Sequence, residues 1–199
     1  EELKDVKIVG LGEASHLMGQ TYTAKVKLIK YLHENCGFDI IAFESPMYSL
    51  YKISDTITIG KYPKEEIFNN LSSIWYTKEL DELFDYVITT RKTTRPLICT
   101  GFDMRTFPNQ ADFLVTDYCN FIKKLNIQSN SNVEIDSFFI KIITTNVRNS
   151  FSEEKIPPQD TLVLFHKFSE IKNILKKVES KNDAAYYSFW NLMTENLQA

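Results

Sequence analysis

From Val6 to Leu11 the chain is apolar at nearly every position, and from Gly12 its character changes at once, to Glu13, Ala14, Ser15 and His16. A short, almost continuous apolar run of this kind predicts a strand covered on both faces. Between about 21 and 35 the period changes. Tyr22, Val26, Ile29 and Leu32 recur at helical spacing, and Gly37 follows as a stop. DIIAFE, at 39–44, predicts a second buried strand. A strand, helix and strand of these lengths suit a right-handed parallel crossover. Further helices are expected after Pro46, over 64–71 and over 78–92, and a third apolar strand over 96–103. Beyond it the pattern is helical over about 109–125, 132–148, 160–179 and 183–198. TLVLFHKF, at 161–168, is the one stretch there that also reads as a strand. SNSN at 129–132 and KIPPQD at 155–160 are the breaks. The expected fold class is α/β: a parallel-sheet, three-layer core over 1–105, with 106–199 a mainly helical extension of the same domain.

Each predicted strand carries an acid at or just past its carboxyl end: Glu13, Glu44 and Asp103. That edge is where open parallel α/β sheets bind ligands. Carboxylates gathered there are costly unless paired or hydrogen-bonded. Taken singly, Ser15, Ser45 and Asp103 read equally well as helix caps. Glu13, His16 and Glu44 taken together favour a site. Imidazole, titrating near ~6.5 when unperturbed, suits the removal of a proton from water at neutral pH. A carboxylate accepting from the second ring nitrogen would fix the tautomer. Glu13 and Glu44 are both candidates for that partner, and the sequence does not rank them.

Four motifs in order carry a resemblance: Gly12, Glu13 and His16 as GE-x-x-H; Phe43 and Glu44; Trp75, Thr77 and Glu79 as W-x-T-x-E; and GFDM from Gly101 to Met104. Over about residues 6–105 the chain resembles the erythromycin esterase family. The resemblance implies an α/β core with added helices and metal-independent hydrolysis of an ester or of a macrolide lactone, the latter an antibiotic-resistance activity. It assigns His16 as general base, with Glu13 and Glu44 as its carboxylate neighbours. Lys25 stands where the family commonly has arginine, keeping the charge without the bidentate fork. Lys25, Trp75 and Asp103 are the expected substrate contacts. Leu17 replaces the glycine that usually follows the histidine. The family is about twice this length, and a further catalytic histidine lies in its second half. The chain is therefore expected to be truncated, with that remaining half as a partner and with the isolated chain possessing only part of a site. His166 does not match the later motif.

Composition narrows the alternatives. Hydrophobic residues make up 43% and charged residues 25%, as in ordinary globular proteins. A net charge of −3 gives no general attraction to nucleic acid or anionic membranes. No apolar run is long enough to span a bilayer. The chain starts on Glu1 without an initiator Met, so its amino terminus reads as trimmed, and the localisation stays unassigned with the cytoplasm as first choice. Cys36, Cys99 and Cys119 form neither a zinc pattern nor a disulfide framework and read as small core residues. His33, in the last turn of a helix, suits a surface or capping role. Trp75 reads as core unless the motif makes it a substrate platform. The cluster of Trp190 with Tyr186, Tyr187 and Phe189 reads as helix packing. No cofactor is expected. Two other classes remain: a metal-dependent hydrolase built from Glu13, His16, Glu44 and Asp103, and a non-catalytic binding domain that keeps the fold.

Overall fold

The computed structural model describes the chain apart from residues 1, 2, 4, 17, 59–63, 153–155, 179–183 and 199, and apart from the side chains of 55–58 and 64. Leu17 and the start of the helix expected at 183 lie outside the described residues. The chain divides into two compact units, Glu1–Asp103 and Met104–Ala199. It is mainly helical, with a small parallel sheet in the first unit.

The first unit holds α1 (Gly19–Cys36), β1 (Ile40–Pro46), α2 (Met47–Thr58), α3 (Lys64–Asn69), α4 (Asp81–Thr90) and β2 (Ile98–Asp103). Single 3₁₀ turns at Ser73–Trp75 and Lys78–Leu80 lead into α4. Helix α1 buries Tyr22, Val26, Ile29 and Leu32 along one stripe. It stops at Gly37, whose φ of 79° is a left-handed cap donating to the carbonyl of Leu32. Strands β1 and β2 pair in parallel, with Ile40 opposite Ile98 and Phe43 opposite Gly101. One extra residue enters β1 between Phe43 and Pro46. Gly101 permits this closure: a Cβ there would lie 2.2 Å from the carbonyl oxygen of Ser45. Ser45 is fully buried and does not cap a helix. Its Oγ accepts from the Ser72 amide at 2.6 Å, joining β1 to the loop ahead of the first 3₁₀ turn.

The sheet's inner face carries Phe43 and Cys99 into a core shared with Tyr22, Leu50, Leu83 and Phe84. Burying one such side chain contributes roughly 1.5–3 kcal/mol. The outer face is open, with Ile40 at 63%, Ile98 at 40% and Phe102 at 60% exposure. Among the described residues the sheet thus has one covering layer, and the three-layer arrangement is not formed. The predicted first strand is also not formed: Val6–Leu11 has no regular secondary structure and no ladder pairing, and Ile8 is 86% exposed. Gly10 within the run weakens a strand. With one sheet face uncovered, the run has little apolar surface to bury there.

The second unit packs α5 (Ala111–Ser129), α6 (Ser137–Arg148), α7 (Pro158–Val178) and α8 (Ala184–Gln198) against one another. TLVLFHKF lies in α7 and is not a strand. Leu164, Phe168, Ile171 and Leu175 are buried at helical spacing, and this longer period overrides the local apolar run. Helix α6 begins at Asp136, which accepts from the Phe139 amide at 2.7 Å. Phe121 and Trp190 stack at 5.3 Å within the aromatic cluster of α5 and α8. All three cysteines are free; Cys99 and Cys119 are buried and Cys36 is half-buried. Among the described residues no helix is long and apolar enough to cross a membrane.

Candidate functional site

The segment Gly12–His16 bends ahead of α1, so Glu13 and His16, three apart, meet. Glu13 stands at the centre. Its Oε1 accepts from His16 Nδ1 at 2.5 Å, and its Oε2 accepts from Lys25 Nζ at 2.6 Å. Of the two carboxylates the sequence left open, Glu13 is therefore the one that meets the imidazole. Lys25 is only 9% exposed, and its ammonium lies 5.4 Å from the Tyr22 ring and 5.8 Å from the Trp75 ring. These aromatic faces help to accommodate a buried cation. The Lys25 hydrogen bond does most to hold the Glu13 carboxyl below the usual carboxylate range. Burial opposes this, and the His16 hydrogen bond reinforces it.

Trp75 joins several elements. Its ring packs edge-on against Tyr22 at 5.8 Å and Phe43 at 5.2 Å, and its indole N–H donates to the Glu44 carbonyl at 3.0 Å. Glu13, His16, Lys25, Glu44 and Trp75 together line one cavity of about 790 Å³. Its other walls are largely apolar, with Ile41, Phe43, Leu83 and Leu97 lining it together with the run Lys7–Gly12. His16 lies at this cavity with its side chain 55% exposed. The Glu44 carboxylate is exposed and has no bond to His16. Asp103, at the end of β2, is not among the lining residues, which stop at Phe102. Among the described residues no group of three or more His, Cys, Asp or Glu could hold a metal ion. The set Glu13, His16, Glu44 and Asp103 does not come together as one.

His33 is buried and neither a surface nor a capping residue. Its Nδ1 meets the Tyr86 hydroxyl at 2.7 Å and its Nε2 meets the Arg95 carbonyl at 3.1 Å, tying the end of α1 to the approach of β2. His166 is exposed on α7, in the second unit. The sequence reading left Tyr22 as a core residue; its place under Lys25 was signalled only by the three-residue spacing along α1.

No family model matches the chain. It is 33% identical over 183 residues to YbfO of Bacillus subtilis (strain 168), a protein named as a hydrolase, covering 88% of this chain and 40% of that protein. It is 28% identical over 114 residues to erythromycin esterase type I of Escherichia coli, covering 56% of this chain and 27% of that protein. The chain thus spans less than half the length of these relatives. A crystal structure of a Bacillus cereus protein matches the fold with a TM-score of 0.64 at 15% identity, over 90% of this chain and 43% of that one.

Proposed function

We propose that the chain is the amino-terminal part of a carboxylic ester hydrolase of the erythromycin esterase type, in which His16 activates water without a metal. The observation that carries this reading is the chain of contacts from His16 Nδ1 to Glu13 to Lys25 at one cavity. With Nδ1–H donating to Glu13, the Nε2 lone pair is free to accept a proton from water as it attacks an ester carbonyl. The Glu13 carboxylate fixes that tautomer and stabilises the imidazolium that forms. Lys25 keeps Glu13 ionised and oriented, a role one step back from the substrate contact expected of it. Glu44 faces the same cavity as a second negative group. Trp75 offers an aromatic wall for the substrate. Asp103 is not in the cavity lining and has no part in this reading. The remaining length of the relatives supplies the rest of the site as the partner of this part.

The assay uses the whole protein with p-nitrophenyl acetate and a macrolide lactone. His16→Ala is expected to lower kcat by about 10²–10⁴-fold with KM nearly unchanged, because a general base acts only in the transition state. His16→Gln, which keeps a polar side chain, should lose as much. Full turnover in both variants would sink the reading. Loss of wild-type activity on chelation would favour the metal-dependent alternative, and absence of turnover on any ester would favour a binding domain.

A further inference from the structure

Tyr22 is fully buried on α1, and the proposed chemistry gives it no part. Its ring and its hydroxyl meet two different pieces of the site. The ring lies under the ammonium of Lys25, one turn further along the helix, at 5.4 Å. An ammonium withdrawn from water is costly unless it is compensated. The aromatic face offsets part of that cost where Nζ bonds to Glu13 Oε2 at 2.6 Å. The other oxygen of Glu13 holds His16 Nδ1. Each link from the Tyr22 ring to the imidazole is thus a direct contact between side chains. The hydroxyl donates to the Ile74 carbonyl at 3.0 Å. The segment 72–75 is tied to β1 by the Ser72 amide on Ser45 Oγ at 2.6 Å and by the Trp75 indole N–H on the Glu44 carbonyl at 3.0 Å. The Tyr22 hydroxyl ties the same segment to α1. Phenylalanine would fill the same buried space, so what the hydroxyl adds is this bond.

We propose that Tyr22 is a positioning residue with two separable roles. Its ring places the Lys25 ammonium on Glu13 and so orients the His16 base. Its hydroxyl places the Trp75 wall of the cavity. This rests on the hydrolase reading above.

Tyr22→Leu removes the ring and Tyr22→Phe removes only the hydroxyl, so the pair separates the roles. Two NMR reporters are read without substrate in the whole protein: the His16 ring signals, assigned with His16→Gln, and the Trp75 indole N–H signal, assigned with Trp75→Phe. Tyr22→Leu should displace the His16 signals and lower kcat on p-nitrophenyl acetate by about 10–10²-fold, the cost of a misplaced catalytic group. Tyr22→Phe should leave the His16 signals near their wild-type positions and displace the indole signal. It should raise KM by about 2–10-fold at similar kcat, the loss expected for one hydrogen bond. Val26→Ala, a core change on the same helix, serves as the control for lowered stability and should move neither reporter. In a Lys25→Met background, Tyr22→Leu should add little to the His16 displacement, a coupling that independent sites do not show. If Tyr22→Leu does not fold, Tyr22→Met takes its place. Unmoved His16 signals in the folded ring-less variant, additive displacements in the Lys25→Met background, or the same displacements in Val26→Ala would overturn the ring's role. An unmoved indole signal in Tyr22→Phe would overturn the hydroxyl's. Turnover surviving His16→Ala would remove only the general-base reading, because both reporters are independent of activity.

Discussion

At the scale of single residues the site depends on how one carboxylate is shared. Glu13 has both oxygens engaged, one by His16 and one by Lys25. Its lowered pKa carries a sign for stability. The contribution is fully present above the ordinary glutamate value of about 4.3 and is lost as pH falls through the lower folded value. Lys25→Met keeps the apolar stem and removes the main stabilising contact of an almost buried carboxylate. At pH 7 it should cost on the order of 1–3 kcal/mol. The gap to wild type should close as pH falls through the lowered folded value of Glu13, below which the carboxyl is protonated in both proteins. Melting curves across that range check it, and a gap independent of pH would show that Lys25 acts through packing alone. The sequence made Glu13, His16 and Glu44 conspicuous because acids clustered where strands were expected to end. It did not rank Glu13 above Glu44, because the ranking depends on Lys25 reaching back from α1.

At the scale of elements, α1, β1 and β2 were legible because each has its own period and its own stop. Tyr22, Val26, Ile29, Leu32 and the Gly37 cap all describe the same helix. What was not legible depends on distant neighbours. Val6–Leu11 reads as a strand, yet its pairing requires cover that the described residues do not provide. Residues 161–168 read locally as a strand, yet Ile171 and Leu175 extend the buried stripe beyond them. The bulge in β1 likewise depends on a glycine in the other strand. Gly101→Ala would push a methyl group into the Ser45 and Pro46 carbonyls. It should destabilise the first unit by roughly 1–3 kcal/mol, the usual range for overpacking. Urea unfolding measures this, and a variant of wild-type stability would mean that β1 shifts at no cost.

At the scale of the whole molecule, apolar surface is left open in both units. On the sheet, Ile40, Ile98 and Phe102 form an outward face. On the helices, Phe113, Ile127 and Leu162 are 66%, 82% and 62% exposed. Exposed apolar surface drives association when it gathers into patches. This chain should therefore form higher species with rising concentration in light scattering. Ile40 and Ile98 sit opposite each other in register. Replacing both with threonine keeps strand preference while removing apolar surface. The double variant should associate less with an unchanged far-ultraviolet spectrum; association at the wild-type level would place the contact on the helical unit.

The state of the three thiols has a practical consequence. Burial pushes the Cys99 thiol up to about 12, and it raises Cys119 as well. Thiolates, not thiols, react with maleimides and iodoacetamides. Cys36, half-buried at the end of α1, is left as the preferred point of attachment for a fluorophore or spin label in the native protein. A reporter there sits on the helix that carries Gly19, Tyr22 and Lys25. Movement of that helix can then be followed spectroscopically without first removing any other cysteine.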